Sequence, residues 1–201
     1  MTTNRWNHNL HFHPRILAAA PPHCARALDV GCGDGVLTRE LRLVSERVVG
    51  IDLHSPSIDA ARAHGGEGVA YVLGDFFDHP FEPQSFDLVT SVAALHHMDA
   101  EAGLTRMACL LRPGGILVVI GLARSLRPAD FAYDLAGAVA TRVHKHILGK
   151  RYWEHGAPQV WPPPLGYCEM RRLAERLLPG VQYRRHVLWR YSLVWTRPRT
   201  E

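Results

Sequence analysis

The sequence predicts an α/β fold of three layers, with helices on both faces of a mostly parallel sheet that ends in an antiparallel hairpin. Two observations predict it. Between residues 26 and 120, short apolar segments alternate with stretches whose apolar residues recur at helical spacing, the rhythm of βαβ units. Near the C-terminus, two strand-like runs, Gln182 to Leu188 and Tyr191 to Thr196, are separated only by Trp189-Arg190. A link that short joins antiparallel strands only.

The elements follow in order. Before the first strand, Pro14 and Pro21-Pro22 bracket a short helical stretch from Arg15 to Ala20. Arg26 to Val30 is an apolar strand, Gly31 to Gly35 a tight turn, and Val36, Leu37, Leu41 and Val44 give the next segment helical spacing. Arg47 to Leu53 is the second strand. Ser55, followed by Pro56, reads as the N-cap of a helix running to about His64. Val69 to Leu73 and Phe86 to Ser91 are the third and fourth strands, and Asp99 caps a helix ending near Leu111. Arg112-Pro-Gly-Gly115 then turns the chain into the most apolar strand, Ile116 to Ile120. A helix from about Pro128 to Leu148, an aromatic and proline-rich loop, and a helix from Tyr167 to Leu178 precede the hairpin.

Composition bounds the function. The chain has 201 residues, 47% apolar and 21% charged, which suits one domain with a full core. The longest apolar run, Gly115 to Ala123, is far short of the roughly 20 residues that span a bilayer. The N-terminus has no signal-like apolar stretch, and Cys24, Cys32, Cys109 and Cys168 are spaced as reduced thiols, so the expectation is a cytoplasmic protein. A net charge of +4 is too small to argue for nucleic acid, although eight arginines follow Met170. They read mainly as a solvated face, with steering of anions as the alternative.

Chemistry begins at Leu28-Asp-Val-Gly-Cys-Gly-Asp-Gly35. The glycines permit a sharp turn and a close approach to a ligand lying over the end of the first strand. The dinucleotide fingerprint requires glycine at its sixth position, where this chain has Val36. Asp29 sets a negative charge beside the turn, which disfavours a phosphate and suits an ammonium or sulfonium. Asp52 ends the second strand, where a carboxylate can accept both hydroxyls of a ribose. Asp75 follows the third strand and can accept from an adenine amino group, with Phe76 against the ring.

These segments, with Val49-Gly-Ile-Asp-Leu, Gly74-Asp-Phe, Phe86-Asp-Leu-Val-Thr-Ser-Val-Ala-Ala-Leu-His-His-Met98 and Leu111-Arg-Pro-Gly-Gly-Ile-Leu, resemble the class I S-adenosylmethionine-dependent methyltransferases, type 11 branch. The resemblance covers residues 26 to 121 and implies a Rossmann-like, seven-stranded sheet. It implies S-adenosyl-L-methionine as cofactor and S-adenosyl-L-homocysteine as product. Asp29, Gly31, Cys32, Gly33 and Gly35 would hold the methionine part, and Asp52 with Leu53 the ribose. Asp75 and Phe76 would hold the adenine, and Ser91 and Val92 would lie near the methionine part. Asp87 would support the loops beside the first strand. One domain is expected: a lid segment (1–25), a cofactor-binding core (26–121), a substrate-side insertion (122–166), and the last helix with its hairpin (167–201).

Methyl transfer is a direct displacement, so alignment and desolvation can supply about 7–11 kcal/mol without a covalent intermediate. A base is needed only where the nucleophile carries a proton. His96 and His97 follow the fourth strand and are candidates, His96 the better; the alternative is a buried histidine that shapes the loop. His11 and His13 in the lid, and Trp153 in the insertion, are candidates for acceptor contact, with packing as the alternative. The histidines show no compact ligand spacing, so no metal site is expected. The acceptor expected is a small molecule offering oxygen, nitrogen or carbon, with no membrane or nucleic-acid partner. An RNA or protein methyltransferase is one rival, weakened by the lack of an Asn/Asp-Pro-Pro-Tyr/Phe segment. A non-catalytic cofactor-binding regulator is another. Nothing in the sequence indicates the oligomeric state.

Overall fold

A computed structural model describes residues 5–147, 151–152 and 161–199. The chain opens with β1 (Arg5–Trp6), a 3-10 turn at Leu10–Phe12 and α1 (His13–Ala18). Then follow β2 (Arg26–Val30), α2 (Val36–Glu40), β3 (Arg47–Asp52), α3 (Ser55–His64) and β4 (Val69–Leu73). The second half of the core is β5 (Phe86–Val92), α4 (Ala100–Leu110) and β6 (Leu111–Gly121). Beyond it lie α5 (Asp130–Arg142), which passes into a π-helical turn at Val143–Ile147, and β7 (Arg151–Tyr152). Last come α6 (Tyr167–Leu177), β8 (Gln182–His186) and β9 (Arg190–Thr196).

Seven strands form one sheet in the order β4-β3-β2-β5-β6-β9-β8. The first five in that order are parallel neighbours, while β6–β9 and β8–β9 are antiparallel. Alternate residues of each strand face opposite layers. Leu28 and Val89 pack with Leu104, Met107 and Met170 of α4 and α6, whereas Ala27 and Leu88 pack with Ile16, Leu37 and Leu41 on the other face. The winding reverses at β2, with β3 and β4 on one side and β5 and β6 on the other. A crevice opens beyond the carboxyl ends of the strands at such a reversal, which is where ligands of this architecture sit.

Several boundaries differ from the sequence expectation. Ser55 is already helical; the N-cap is His54, whose ring Nδ1 pairs with Ser57 Oγ at 2.8 Å. The segment from Arg112 to Gly115 is an excursion inside β6 rather than a turn before it. Phe86 pairs with Leu111 and Leu88 with Ile116, and Gly114 at φ 82° lets the four residues bulge out. The bulge brings Arg112 Nη1 to 3.0 Å from Asp87 Oδ1, while Asp87 Oδ2 accepts the N–H groups of Ala25 and Arg26. The helix expected over 128–148 is shorter and changes its winding at Val143. The N-terminal helix begins at His13, two residues earlier than expected. One element was not expected at all: β1 pairs in parallel with β7, so the chain's start joins residues 151–152 in a separate two-stranded ribbon.

Candidate active site

The turn after β2 is built as its glycines allow. Gly31, Gly33 and Gly35 have φ of 73°, 54° and 75°, a region L-residues rarely adopt. Two of them also meet close neighbours within the protein. A Cβ on Gly31 would lie 2.2 Å from Ala94 Cβ, and one on Gly35 would strike the Tyr71 ring. Their lack of a side chain permits this close packing, and Gly31 also lines the cavity at this end of the sheet.

Four carboxylates line a cavity of about 900 Å³ at this end of the sheet: Asp29, Asp34, Asp52 and Asp75. Asp29 is 2% exposed, and its oxygens accept from Thr38 Oγ1 at 2.7 Å and Thr90 Oγ1 at 3.2 Å. Burial pushes its carboxyl up to about 6, although the two hydroxyls favour the charged form. Asp52 is fixed by two backbone donors, Gly33 N–H on Oδ2 and His54 N–H on Oδ1, both at 2.8 Å. Each oxygen keeps a second lone pair. Asp75 Oδ1 takes the Phe77 N–H at 2.7 Å.

Across the cavity, β5 ends in Ala93, left-handed at φ 52°, and leads into the turn that carries His96 and His97. Burial, then the neighbouring His97 and Arg190, lower His96 to about 4, and its Nδ1 is buried without a partner. His97 is more exposed, lies 4.2 Å from His96 ring to ring, and is lowered by burial, with Asp52 acting in the opposite sense.

A strap formed by residues 6–13 roofs the cavity. Trp6 stacks on His144 at 4.5 Å, and His8 Nε2 meets Thr141 Oγ1 at 3.1 Å. Asn9 Oδ1 accepts two bonds from Arg190, from Nη2 at 2.7 Å and Nε at 3.1 Å. His13 Nδ1 pairs with Glu40 at 2.8 Å. Trp189 closes the turn between β8 and β9, with Gly137 of α5 against its ring and His8 at 5.4 Å.

Relatives agree with this geometry. A family model described as a methyltransferase domain, the type 11 branch, matches residues 28–119. An uncharacterised methyltransferase of Mycobacterium tuberculosis is 34% identical over 196 residues, 96% of this chain and 98% of the relative. The chain belongs to the class I S-adenosylmethionine-dependent methyltransferases, type 11 branch. A ubiquinone biosynthesis O-methyltransferase of Bordetella bronchiseptica is 36% identical to this methyltransferase over 120 residues, covering 56% of this chain and 48% of that protein. An S-adenosylmethionine-dependent methyltransferase from Mesorhizobium loti superposes with a TM-score of 0.50 at 31% identity, over 55% of this chain and 53% of that one. S-adenosylmethionine is the cofactor. The residues present fit it: Asp52 and Asp75 offer acceptors to hydroxyl and amino donors on one wall, and the anionic Asp29 lies beside the turn.

Of the expected site residues in this methyltransferase, Asp29, Gly31, Cys32, Gly33, Asp52, Leu53, Asp75, Phe76, Val92, His13, His96 and His97 line the cavity. Gly35, Ser91 and His11 do not. Ser91 is fully buried within the sheet and its Oγ has no partner, and Gly35 faces Tyr71. The chain is helical at His11 and His13, so these residues, two apart, diverge. His11 is exposed and packs on Trp6 and Phe12. Trp153 lies outside the described residues. Phe76 lines the cavity but is 5% exposed, with the Arg106 guanidinium over its ring at 5.3 Å. Asn7, Asn9, Trp189 and Arg190 were not anticipated, because nothing local in the sequence says that a strap and a hairpin turn will meet. Among the described residues no helix is long and apolar enough to cross a membrane, and no cluster of three or more His, Cys, Asp or Glu is placed to hold a metal.

Proposed function

We propose that this methyltransferase acts on a small-molecule acceptor, methylated at oxygen, nitrogen or carbon inside the roofed cavity. The observation that carries this is the roof: the strap, through Asn7 to Leu10, and the Trp189 turn line a space of about 900 Å³, which suits a cofactor with a compact acceptor better than a folded macromolecule. The cofactor supplies an electrophilic methyl group on sulfonium sulfur. The chain's part is to bind, orient and exclude water. Asp52 holds the ribose hydroxyls, Asp75 and Phe76 the adenine, and Asp29 with the 31–35 turn the methionine end, with Leu53 and Val92 as apolar walls. His96 and His97 stand where an acceptor enters. Burial keeps His96 unprotonated at neutral pH, the form in which a base takes a proton.

Calorimetric titration with S-adenosylhomocysteine, with NADH as control, tests the cofactor side; a screen of phenols, amines, quinones and acids then tests the acceptor. His96→Ala should lower turnover at least tenfold with little change in cofactor affinity. Equal loss of both would assign His96 to the cofactor site instead.

A further inference from the structure

His13 opens α1, and its ring is set by the packing around it. Phe12 and Ile16 pack with Leu37 and Leu41, which brings the ring against Glu40 at the end of α2, with Nδ1 2.8 Å from the carboxylate. A carboxylate only accepts, so Nδ1 carries the proton of that bond. The other nitrogen, Nε2, then decides what the ring offers: a lone pair in the neutral form, a second N–H in the cation. Nε2 has no protein partner among the described residues. It is not sealed off as His96 Nδ1 is, so it opens onto the cavity that His13 lines. Only 7% of the side chain is exposed, so a group that meets Nε2 there meets little competing water.

The place matters as much as the ring. His13 lies close enough to Asp29 for its charge to be felt: burial raises the Asp29 carboxyl, while Thr38 and then His13 act in the opposite sense. Asp29 ends the strand proposed to hold the methionine end of the cofactor. That end is a zwitterion whose ammonium and carboxylate share one carbon, so their partners must be neighbours too. The ammonium suits Asp29. A carboxylate beside Asp29 and Glu40 is repelled unless a donor of opposite charge stands between. Other cavity residues able to carry positive charge are placed for other work. Arg190 spends Nε, Nη2 and Nη1 on Asn9 and on the Leu188 and Trp189 carbonyls. His8 and His96, lowered to about 4 chiefly by burial, are neutral at pH 7. His54 turns Nδ1 to Ser57 at the Asp52 end, and His97 follows β5.

Resting on that placement of the methionine end, we propose that His13, backed by Glu40, receives the cofactor's carboxylate through Nε2 and so latches the strap over the bound cofactor. The imidazolium then has a carboxylate on each nitrogen, and both bonds are charge-assisted. His13, a candidate for acceptor contact by sequence, thus serves the cofactor. One half of the zwitterion site rides on the strap and the other is fixed in β2. A cofactor without its carboxylate leaves the strap free to lift, and the roof closes on cofactor ahead of acceptor.

The test compares S-adenosylhomocysteine with its decarboxylated analogue, which keeps the ammonium and loses only the carboxylate, by calorimetric titration of the full chain. The parent should bind S-adenosylhomocysteine at least about tenfold more tightly. His13→Ala should erase that preference, weakening S-adenosylhomocysteine by the same factor and leaving the analogue unchanged; a residue that only packs the strap would weaken both alike. Glu40→Gln serves where His13→Ala does not fold: it keeps the ring and removes the charge behind it, so the preference should shrink severalfold. Deuterium exchange reads the latch. S-adenosylhomocysteine should slow exchange of the α1 amides in the parent, and the analogue should not. Equal affinity of the parent for the two ligands, equal loss of both in His13→Ala, an undiminished preference in Glu40→Gln, or equal protection of α1 by both ligands would each overturn the proposal. Asp29→Asn separates it from the reading beneath: if this variant binds S-adenosylhomocysteine as tightly as the parent, the placement of the methionine end falls, whatever His13 does.

Discussion

Asp29 shows how one side chain couples stability to the site. Its folded carboxyl titrates near 6, above the 3.8 of an exposed aspartate, because it is buried. The neutral form is therefore favoured in the fold, and the stability this gives is present below about pH 4 and lost as pH rises through 6, on the order of 3 kcal/mol. His8, His96 and His186 run the other way: burial lowers each to about 4, so what they contribute is present above 6.5 and lost on acidification. Asp29→Asn should flatten the first effect and leave the second, so urea midpoints between pH 4 and 8 should rise with pH more steeply in the variant than in the parent. Gly31→Ala tests the turn. The left-handed backbone costs about 1–2 kcal/mol for a non-glycine residue, and the 2.2 Å approach to Ala94 cannot be relieved without moving the cavity wall. Both the melting temperature and S-adenosylhomocysteine affinity should fall. Asp29, Asp52 and Asp75 were legible because each lies at or just past the end of a strand whose apolar run is unmistakable, whereas Asp34, inside the glycine turn, was not singled out. The partner of each glycine was not, since Ala94 and Tyr71 are remote in sequence.

At the level of elements, the bulge at 112–115 and the turn at 188–189 carry local geometry for the rest of the fold. Asp87 ties the bulge to the start of β2 through Arg112, Ala25 and Arg26. Asp87→Ala leaves two backbone donors without their partner and should cost about 2–3 kcal/mol, read as a lower denaturation midpoint with S-adenosylhomocysteine affinity retained in the folded protein. In the hairpin, Leu188 and Trp189 both have positive φ, 70° and 55°, a conformation usually given to Asn-Gly. Replacing Leu188-Trp189 with Asn-Gly should relieve about 1–2 kcal/mol of strain, yet it removes the ring against Gly137 and His8, so the midpoint and acceptor binding should move independently. The hairpin itself could be read from two short strands and a minimal link. Its tip could not, because Leu-Trp is retained against local preference by contacts made elsewhere, including the Arg190 bonds to both carbonyls.

For the whole molecule, the parallel core and its reversal at β2 follow from periodicity that a single sequence carries, and the seven strands fall where the apolar runs lie. The roof does not. It depends on Trp6 meeting His144 and on His8 meeting Thr141, pairs more than 130 residues apart with no local signal. Trp6 is 6% exposed. Trp6→Ala should loosen the strap and cost about 3 kcal/mol where the roof packs, and stopped-flow fluorescence should show faster release of S-adenosylhomocysteine than from the parent. The ribbon of β1 and β7 adds a kinetic constraint. Two flaps that closed separately would each breathe on their own, and ligand could slip out past either one. Hydrogen-bonded to each other, they must lift together, so amide protons of the strap and of α5 should exchange with deuterium in a single correlated event, and the frequency of that event would set an upper bound on how often product escapes.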